Sequence, residues 1–371
     1  MQVREILITG ADGYLGRKLC AEILAAHPEV SLHCWMRAAN PEEFQRKRDT
    51  LAAELLAAEL PGSAATRVHY HFGDLRADEP FAGVPVANVD AIVHTAAVIR
   101  FNVESELADA VNIEGTRKLA QLAQRCPKLQ FLIYLSSIYA TGERVGVLRE
   151  DDHSAPPAFA NHYERSKYSA EQALRADSPV PPTLVRIPTL IADDPGGHVS
   201  QFNVFHNTVR LLYNGLISVL PGNPTTPVYL STRSDAVAAV LAILVAGEVG
   251  RTYHACPAED RAAHLQQLLD DAFAVFREDP RFVQKRILPP RLADAGTFDT
   301  LAAAMTSVSR GVVADALSSI VPFARQLYVA KSVEHQRMAA LAPQLFRTEP
   351  RALITATTRW LTRTQWGRLD G

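Results

Sequence analysis

The amino-acid sequence predicts an α/β fold, a doubly wound parallel sheet with a smaller cap and a helical C-terminal extension. Three observations predict it. Short apolar runs alternate with longer helix-patterned stretches through the first half of the chain. Parallel strands joined by right-handed crossover helices produce that alternation. A glycine triplet follows the first run and opens the first helical stretch. After Val185 the pattern loosens into segments rich in Gly, Pro, Asn and His, and from Arg261 it is mainly helical with proline breaks.

The elements follow in order. Glu5–Thr9 is an apolar run that stops at a glycine, and reads as the first strand. Leu15–Leu24 has helical spacing, and Leu32–Met36 is a second short run. Pro41–Leu60 is charged and rich in Ala and Leu, which suits a long surface helix. Arg67–Phe72 alternates as a strand does, Asp90–His94 is a fourth run, Val111–Gln124 a helix and Gln130–Leu135 a fifth run. Ala192–Pro227 reads as loops and short elements forming a cap over the carboxyl edge of the sheet, and Asp235–Val245 as a helix.

Composition narrows the function classes. With 371 residues, 47% hydrophobic and 21% charged, the chain has ordinary globular usage, which excludes disorder over most of its length. The 38 Lys plus Arg and 40 Asp plus Glu leave a formal net charge of −2, which excludes a broadly basic nucleic-acid binder. Cys20, Cys34, Cys126 and Cys256 are far apart and form no CxxC pair, so neither a disulfide framework nor a metal site is expected. The opening MQVREILITG lacks the pattern of a secretory leader and points to the cytoplasm. No window supplies the ~20 apolar residues of a membrane span. Ala236–Gly247 reads as a buried helix, and the uncharged stretch from Leu211 is broken by Pro221, Pro224 and Pro227.

Thr9-Gly10-Ala11-Asp12-Gly13-Tyr14-Leu15-Gly16 lies between the first strand and the first helix. Gly10 allows a tight turn, Gly13 lets backbone approach a pyrophosphate, and Gly16 lets helix and strand pack closely. The helix N-terminus offers free N–H groups and partial positive charge to phosphate. This is the signature of a Rossmann-type dinucleotide site. Where an NAD site places an acid after the second strand, this chain has Arg37, with Arg17 just past the loop. A guanidinium pairs with a 2′-phosphate through charged, bidentate bonds, so NADP(H) is expected over NAD(H). Trp35 reads as packing, or as an adenine-side contact.

Tyr163 and Lys167 stand four residues apart, on one helix face. A free tyrosine, with a pKa near ~10, is a poor acid–base group at neutral pH, and a nearby ammonium brings it within range. A second pair of this spacing, Tyr14 and Lys18, lies inside the glycine loop with no serine-tipped strand before it. Tyr163 instead follows the apolar run Phe131–Leu135 and the pair Ser136-Ser137. A serine there and Tyr163 would form a two-donor site for developing negative charge.

Taken together, Gly10–Gly16, Asp74, Ser137, Tyr163 and Lys167 resemble the extended short-chain dehydrogenase/reductases, over about residues 1–260. The resemblance implies cofactor contacts at Thr9, Gly10, Gly13, Tyr14, Leu15, Gly16, Arg37, Tyr163 and Lys167. It adds an adenine-contacting turn at Gly73-Asp74-Leu75, a turn after the fourth strand at His94-Thr95-Ala96-Ala97, and Pro188 near the nicotinamide. It implies catalysis by Ser137, with Ser136 as the alternative, Tyr163 and Lys167, and a relay water supported by Asn112. Within the family, HTAAVIRF (94–101), YLSSIYATG (134–142) and NHYERSKYSAE (161–171) are most similar to the fatty acyl-CoA reductase and thioester reductase branch. That branch usually has Arg-Pro where this chain has Arg186-Ile187-Pro188, and glycine where it has Ala192. HTAA and SSI are similar to the hydroxysteroid dehydrogenase branch as well.

The implied activity is NADPH-dependent hydride transfer to an acyl thioester of coenzyme A or a carrier protein, giving aldehyde or alcohol. The alternative is a ketone or aldehyde reductase or a hydroxysteroid-type dehydrogenase. Sugar-nucleotide dehydratases of the same family want Asp-Glu after the catalytic serine or threonine, where Ile138-Tyr139 stand. A dinucleotide-sensing regulator would usually lose the Tyr/Lys pair. Phe202, Phe205 and Tyr213 would line a substrate pocket or form the cap's own core, and His198 and His206 read as loop polars. Residues 320–371 carry eight Lys/Arg against three Asp/Glu. They would meet coenzyme A phosphates or an acidic carrier protein, or form a solvated face. Pairing through two helices, common in the family, implies a homodimer. The expected division is a dinucleotide domain at 1–190 returning at about 228–256, a substrate cap at 191–227 with 257–290, and a helical extension at 291–371.

Overall fold

A computed structural model describes residues 3–58, 64–308 and 320–368. Seven strands form one sheet. They are β1 (Glu5–Thr9), β2 (Ser31–Arg37), β3 (Val68–Gly73), β4 (Ala91–His94), β5 (Phe131–Ser137), a sixth at Thr183–Ile187 and a seventh at Thr252–His254. Their spatial order is seventh, sixth, β5, β4, β1, β2, β3, and every pairing is parallel. The order reverses at β1, between β4 and β2. In open α/β sheets ligands bind in the crevice outside the strands' carboxyl ends at such a point.

Burial explains the run-like strands. All seven residues of β5 are buried, because helices cover both faces of a central parallel strand. Helix α1 (Tyr14–Ala26) lays Leu19, Cys20, Ile23 and Leu24 on one face. Helix α2 (Pro41–Ala57) starts on Asn40, whose side chain accepts from the Glu43 N–H at 2.8 Å. It buries only Leu51 and Leu55, as its charge-rich sequence requires, and the last two residues expected in it lie outside the described residues. The four cysteines are free and buried. Trp35 is a packing residue: it is buried, tilts against Phe81 and donates its indole N–H to the Pro80 carbonyl at 2.8 Å.

Two segments differ from the sequence expectation. The helix expected over Val111–Gln124 begins at Ser105, and Asp109–Glu114 within it is wound as a π-turn. π-turns favour functional sites, and this one carries Asn112. The cap segment, expected as loops and short elements, contains a ten-residue helix at Val204–Tyr213. Its Asn and His residues misled because they serve as caps. Asn203 accepts from Phe205 N–H at 3.0 Å, and the Asn203 N–H donates to His206 Nδ1 at 2.9 Å.

The cap has its own core, in which Val209, Leu212, Leu269, Phe273, Ile354 and Leu361 bring together helices Val204–Tyr213, Leu265–Phe276 and Pro350–Arg363. The chain beyond 291 is threaded through both units. Arg291–Ala293 pairs with Val219–Pro221 in the cap, and Lys331–Val333 pairs with Gly146–Leu148 beside the main sheet. No helix among the described residues is long and apolar enough to cross a membrane.

Candidate active site

The glycine loop is held by sterics. Gly10 has φ +69°, and a methyl group there would come within 2.9 Å of the Ala96 nitrogen and of Thr95 Oγ1. A methyl group at Gly16 would fall on the Gly10 carbonyl oxygen. Gly13 is the N-cap of α1, and its N–H donates to Gly10 O at 2.9 Å. The loop is thus a bare backbone concavity at a helix N-terminus, with Thr9 at its base. The Thr9 hydroxyl shares a 2.6 Å hydrogen bond with His94 Nδ1 and lies 3.4 Å from the Ala96 N–H. Leu15 is partly buried against the sheet core, Ala96 against the core on the other face, and Ala97 is half-buried in the same turn as Ala96.

At the end of β2, Arg37 is exposed and its carbonyl accepts from Lys47 Nζ at 2.6 Å. Lys47 also reaches Asp12 at 3.2 Å and Glu43 at 3.3 Å. Reading the sequence singled out Arg37 but passed over Lys47, hidden among the charges of α2. Arg17 is turned away from that corner, donating to Asp12 O at 2.6 Å and pairing with Glu54. Asp74 follows β3, and Arg76 grips its carboxylate at 2.6 and 3.0 Å. That bond holds the carboxyl below its usual range, with Arg37 adding to the effect. Leu75 is buried, close against Gly115.

The two adjacent serines at the end of β5 point apart, as alternation along a strand demands. Ser136 donates to Glu171, which holds Arg186 in a buried bidentate pair at 2.6 and 3.0 Å. Ser137 caps the short helix Ile138–Thr141, accepting from Tyr139 N–H at 3.2 Å and donating to the Ile187 carbonyl at 3.4 Å, and it is near enough to the Tyr163 phenol to oppose the upward shift of that group. The structure therefore brings Ser137, and not Ser136, to Tyr163. Pro188 is buried just beyond the sixth strand, and the next residue, Thr189, shares a 3.0 Å hydrogen bond with the Tyr139 hydroxyl.

Tyr163 lies in the first turn of helix His162–Asp177, which starts on Asn161. Burial pushes its phenol up to about 12, and Ser137 opposes that shift. Phe101 meets its ring edge-on at 5.4 Å and is tilted in turn against Phe323 at 4.8 Å. One turn along, Lys167 is buried, donates to the Leu135 carbonyl at 2.7 Å and lies 4.3 Å from the centre of the Tyr134 ring. Burial pushes its ammonium down to about 7, and the Glu171 charge restrains the fall. His94 stacks on the other side of this group, with its ring 5.7 Å from that of Tyr134. Burial and Lys167 push His94 down to about 3, so it is neutral. Asn112 accepts from Val98 N–H at 2.8 Å and donates to Val98 O and Ser166 Oγ at 2.9 Å each. It ties the π-turn, the loop that follows β4 and the Tyr163 helix together.

Tyr14 behaves differently. Its hydroxyl donates to the Ala192 carbonyl at 3.3 Å, and the Arg233 guanidinium lies 4.8 Å from its ring centre. Burial, with help from Asp193, raises its phenol far above the ordinary range. Lys18 is a half-buried partner of Glu22 at 2.9 Å. His198 is exposed and bonded to Asp194, while His206 is buried with Nε2 2.9 Å from the Ile191 carbonyl oxygen. Among the described residues no group of three or more His, Cys, Asp or Glu could hold a metal ion.

Two spaces open near this centre. A cleft of about 640 Å³ runs past Phe101, Asn102, Asn161, His162, Pro322 and Tyr328. A small apolar pocket of about 80 Å³ enters the cap, lined by Thr189, Val209, Leu212, Leu269 and Phe323 among others. Thr189 and Phe323 belong to both the aromatic cluster around Tyr163 and the wall of this pocket.

Residues 8–239 match the NAD-binding family described as male sterility protein. That span is more than half the chain, and the chain belongs to this family. Fatty acyl-CoA reductase 8 of Arabidopsis thaliana is 28% identical over 173 residues, covering 40% of this chain and 34% of its own length. The chain thus spans about a third of that relative. Among solved structures, the terminal R domain from the myxalamid PKS-NRPS biosynthetic pathway superposes with TM-score 0.75 at 19% identity, over 98% of this chain and 91% of that one. A thiolation-reductase di-domain from an archaeal non-ribosomal peptide synthetase gives 0.67 at 16% identity, over 99% and 76%. At these identities the two structures establish the shared fold.

Proposed function

We propose that this member of the male sterility protein family is an NADPH-dependent reductase of acyl thioesters. One observation carries the reading: Ser137, Tyr163 and Lys167 lie at the carboxyl end of β5, and an apolar pocket in the cap has Thr189 and Phe323, partners of the aromatic groups beside Tyr163, in its wall. The Arabidopsis relative is a fatty acyl-CoA reductase and the archaeal structure joins a reductase to a thiolation domain, and both point the same way.

The residues present fit a dinucleotide. The loop from Thr9 to Gly16 tolerates no side chain at Gly10 or Gly16 and would receive the pyrophosphate over Gly13, on the backbone N–H groups of Tyr14 and Leu15. Arg37, with Lys47 beside it, would pair with the 2′-phosphate. The turns at Asp74-Leu75 and Ala96-Ala97 would face the adenosine side, and Pro188 the nicotinamide side. When bound, NADPH supplies the hydride.

The protein's own groups handle charge and protons. Tyr163, held protonated by burial, donates its proton to the carbonyl oxygen as negative charge develops there. Ser137 supplies the second donor to that oxygen. Lys167 stabilises the phenolate left behind, and its own proton is mobile near neutral pH. Asn112 keeps the helix and the loop after β4 in register. Reduction of a thioester gives a hemithioacetal, which collapses to aldehyde and thiol. The acyl chain enters the apolar pocket, and the pantetheine arm lies in the cleft between Phe101 and Pro322.

The test is NADPH consumption at 340 nm with an acyl-coenzyme A series and an acyl-carrier protein, following free thiol in the same sample. Thiol appearing in step with NADPH loss is expected. NADPH oxidation by ketones or aldehydes with no thiol from any thioester overturns the thioester reading.

A further inference from the structure

We propose that Phe323 is a divider that seats the two arms of a thioester apart, and that it limits the acyl arm to a short chain. This rests on the thioester reading given above.

The divider belongs to one short stretch of chain. Residues 320–324 are helical, and Arg325–Tyr328 continues as a 3-10 turn. Its side chains sort into three directions. Ile320, Phe323 and Leu327 line the apolar pocket in the cap, at the spacing of one helix face. Val321, Pro322, Ala324, Arg325 and Tyr328 line the cleft. Gln326 faces the main domain, where its Nε2 donates to Glu164, a fully buried acid, at 2.9 Å and to the Gly142 carbonyl at 3.2 Å.

The stretch is tethered to both units. On the main-domain side, Gln326 Oε1 accepts from Lys331 Nζ at 2.7 Å, and Asn161 Nδ2 donates to the Pro322 carbonyl at 3.1 Å. On the cap side, the Asn223 N–H donates to the Leu327 carbonyl at 3.2 Å, and the Tyr328 hydroxyl donates to the Ala293 carbonyl at 2.7 Å. A stretch held from both sides is a wall and not a lid.

Phe323 is where this wall meets the reaction centre. Its ring lies 4.8 Å from that of Phe101 and 5.2 Å, edge-on, from that of Tyr139. Phe101 lines the cleft and meets Tyr163 edge-on at 5.4 Å. The contact of Phe101 with Phe323 is therefore the seam between pocket and cleft, one ring removed from Tyr163. A thioester carbonyl held at Tyr163 has two unlike arms. The hydrocarbon arm belongs among Val209, Leu212 and Leu269 of the pocket. The amide-bearing arm belongs in the cleft, whose wall includes Asn102, Glu143 and Arg325. The pocket is also short. An apolar cavity of about 150 Å³ holds one benzene ring, so a pocket of about 80 Å³ takes only about three carbons. A longer chain runs into the Phe323 ring.

The test compares hexanoyl- and dodecanoyl-coenzyme A. The unmodified protein prefers the hexanoyl thioester in kcat/KM. Phe323→Ala joins pocket to cleft, and the dodecanoyl-to-hexanoyl ratio rises by about tenfold or more, since each further methylene given apolar cover is worth about fourfold. Phe323→Trp thickens the divider and lowers the ratio. A ratio cancels the fraction of a variant that fails to fold. The corresponding ratio of Kd values, from isothermal titration of the protein saturated with NADP+, reads the divider without turnover. A dodecanoyl preference in the unmodified protein, or ratios unmoved in both variants, overturns the proposal. A Kd ratio that moves while no thioester releases thiol is a separate failure, of the thioester reading itself.

Discussion

The molecule contains the same two residue types at the same spacing twice, and the two pairs sit in different surroundings. Tyr14 and Lys18 sit on α1, Tyr163 and Lys167 on the helix that follows β5. The first lysine is half-buried and paired with Glu22, and the first tyrosine donates to a cap carbonyl. The second lysine is buried against a strand carbonyl and an aromatic ring, and the second tyrosine is buried near Ser137 and edge-on to Phe101. Spacing alone brings two side chains onto one helix face. Burial of the lysine and a serine at the end of the neighbouring strand are what set the second pair apart, and the proposed function rests on them.

Four substitutions break or sharpen that contrast. Tyr163→Phe lowers kcat by about 10²–10⁴, the range of a lost general acid, while Tyr14→Phe stays within about threefold. Equal losses would erase the distinction. Gly10→Ala tests the first region for what it does instead: the added methyl strikes Ala96, so NADPH binding weakens by about a hundredfold or more in a titration of nucleotide fluorescence. Arg37→Ala raises the Kd for NADPH about tenfold and leaves that for NADH in place, since a charged bidentate bond is worth about 1.5–3 kcal/mol. Equal effects on both nucleotides would remove Arg37 from the 2′-phosphate.

The smallest effect concerns the two lysines and pH. Lys167 has a folded pKa of about 7 against an ordinary 10.5. Between those values the unfolded chain binds the proton and the folded chain does not, so stability rises with pH across that window and is lost as pH falls through 7. Urea melts of the nucleotide-free protein at pH 7 and 9.5 show this slope, and Lys167→Met flattens it. Lys18→Met leaves the slope unchanged and shifts stability by no more than about 0.5 kcal/mol, as an i,i+4 pair allows.

Much of the sheet is legible in the sequence because each strand and crossover is local. Glu5–Thr9, the glycines and α1 are adjacent in the chain, so their geometry follows from their order. Ser136 and Ser137 show the limit: alternation says they face apart, but which faces Tyr163 depends on how helix His162–Asp177 docks. The Val204–Tyr213 helix was readable from Phe205, Val209 and Leu212 at helical intervals behind Asn203, but the polar residues that cap it look like loop. The contact of Gln326 with Glu164 has no local signature. Nothing in either stretch of sequence announces a buried acid 162 residues from its partner.

The strand Lys331–Val333, laid beside Gly146–Leu148, has a consequence for the order in which the protein is made. A chain emerging from the ribosome at ~5–20 residues per second can form β1 to β5 early, since each pairs with neighbours already present. The hydrogen bond from Gln326 to Gly142 spans 184 residues, and the bond from Lys331 to Gly142 spans 189. The wall beside Tyr163 therefore stays open until residue 333 has left the exit tunnel. A nascent chain stalled after the seventh strand would have its nucleotide loop assembled and its reaction centre still wet.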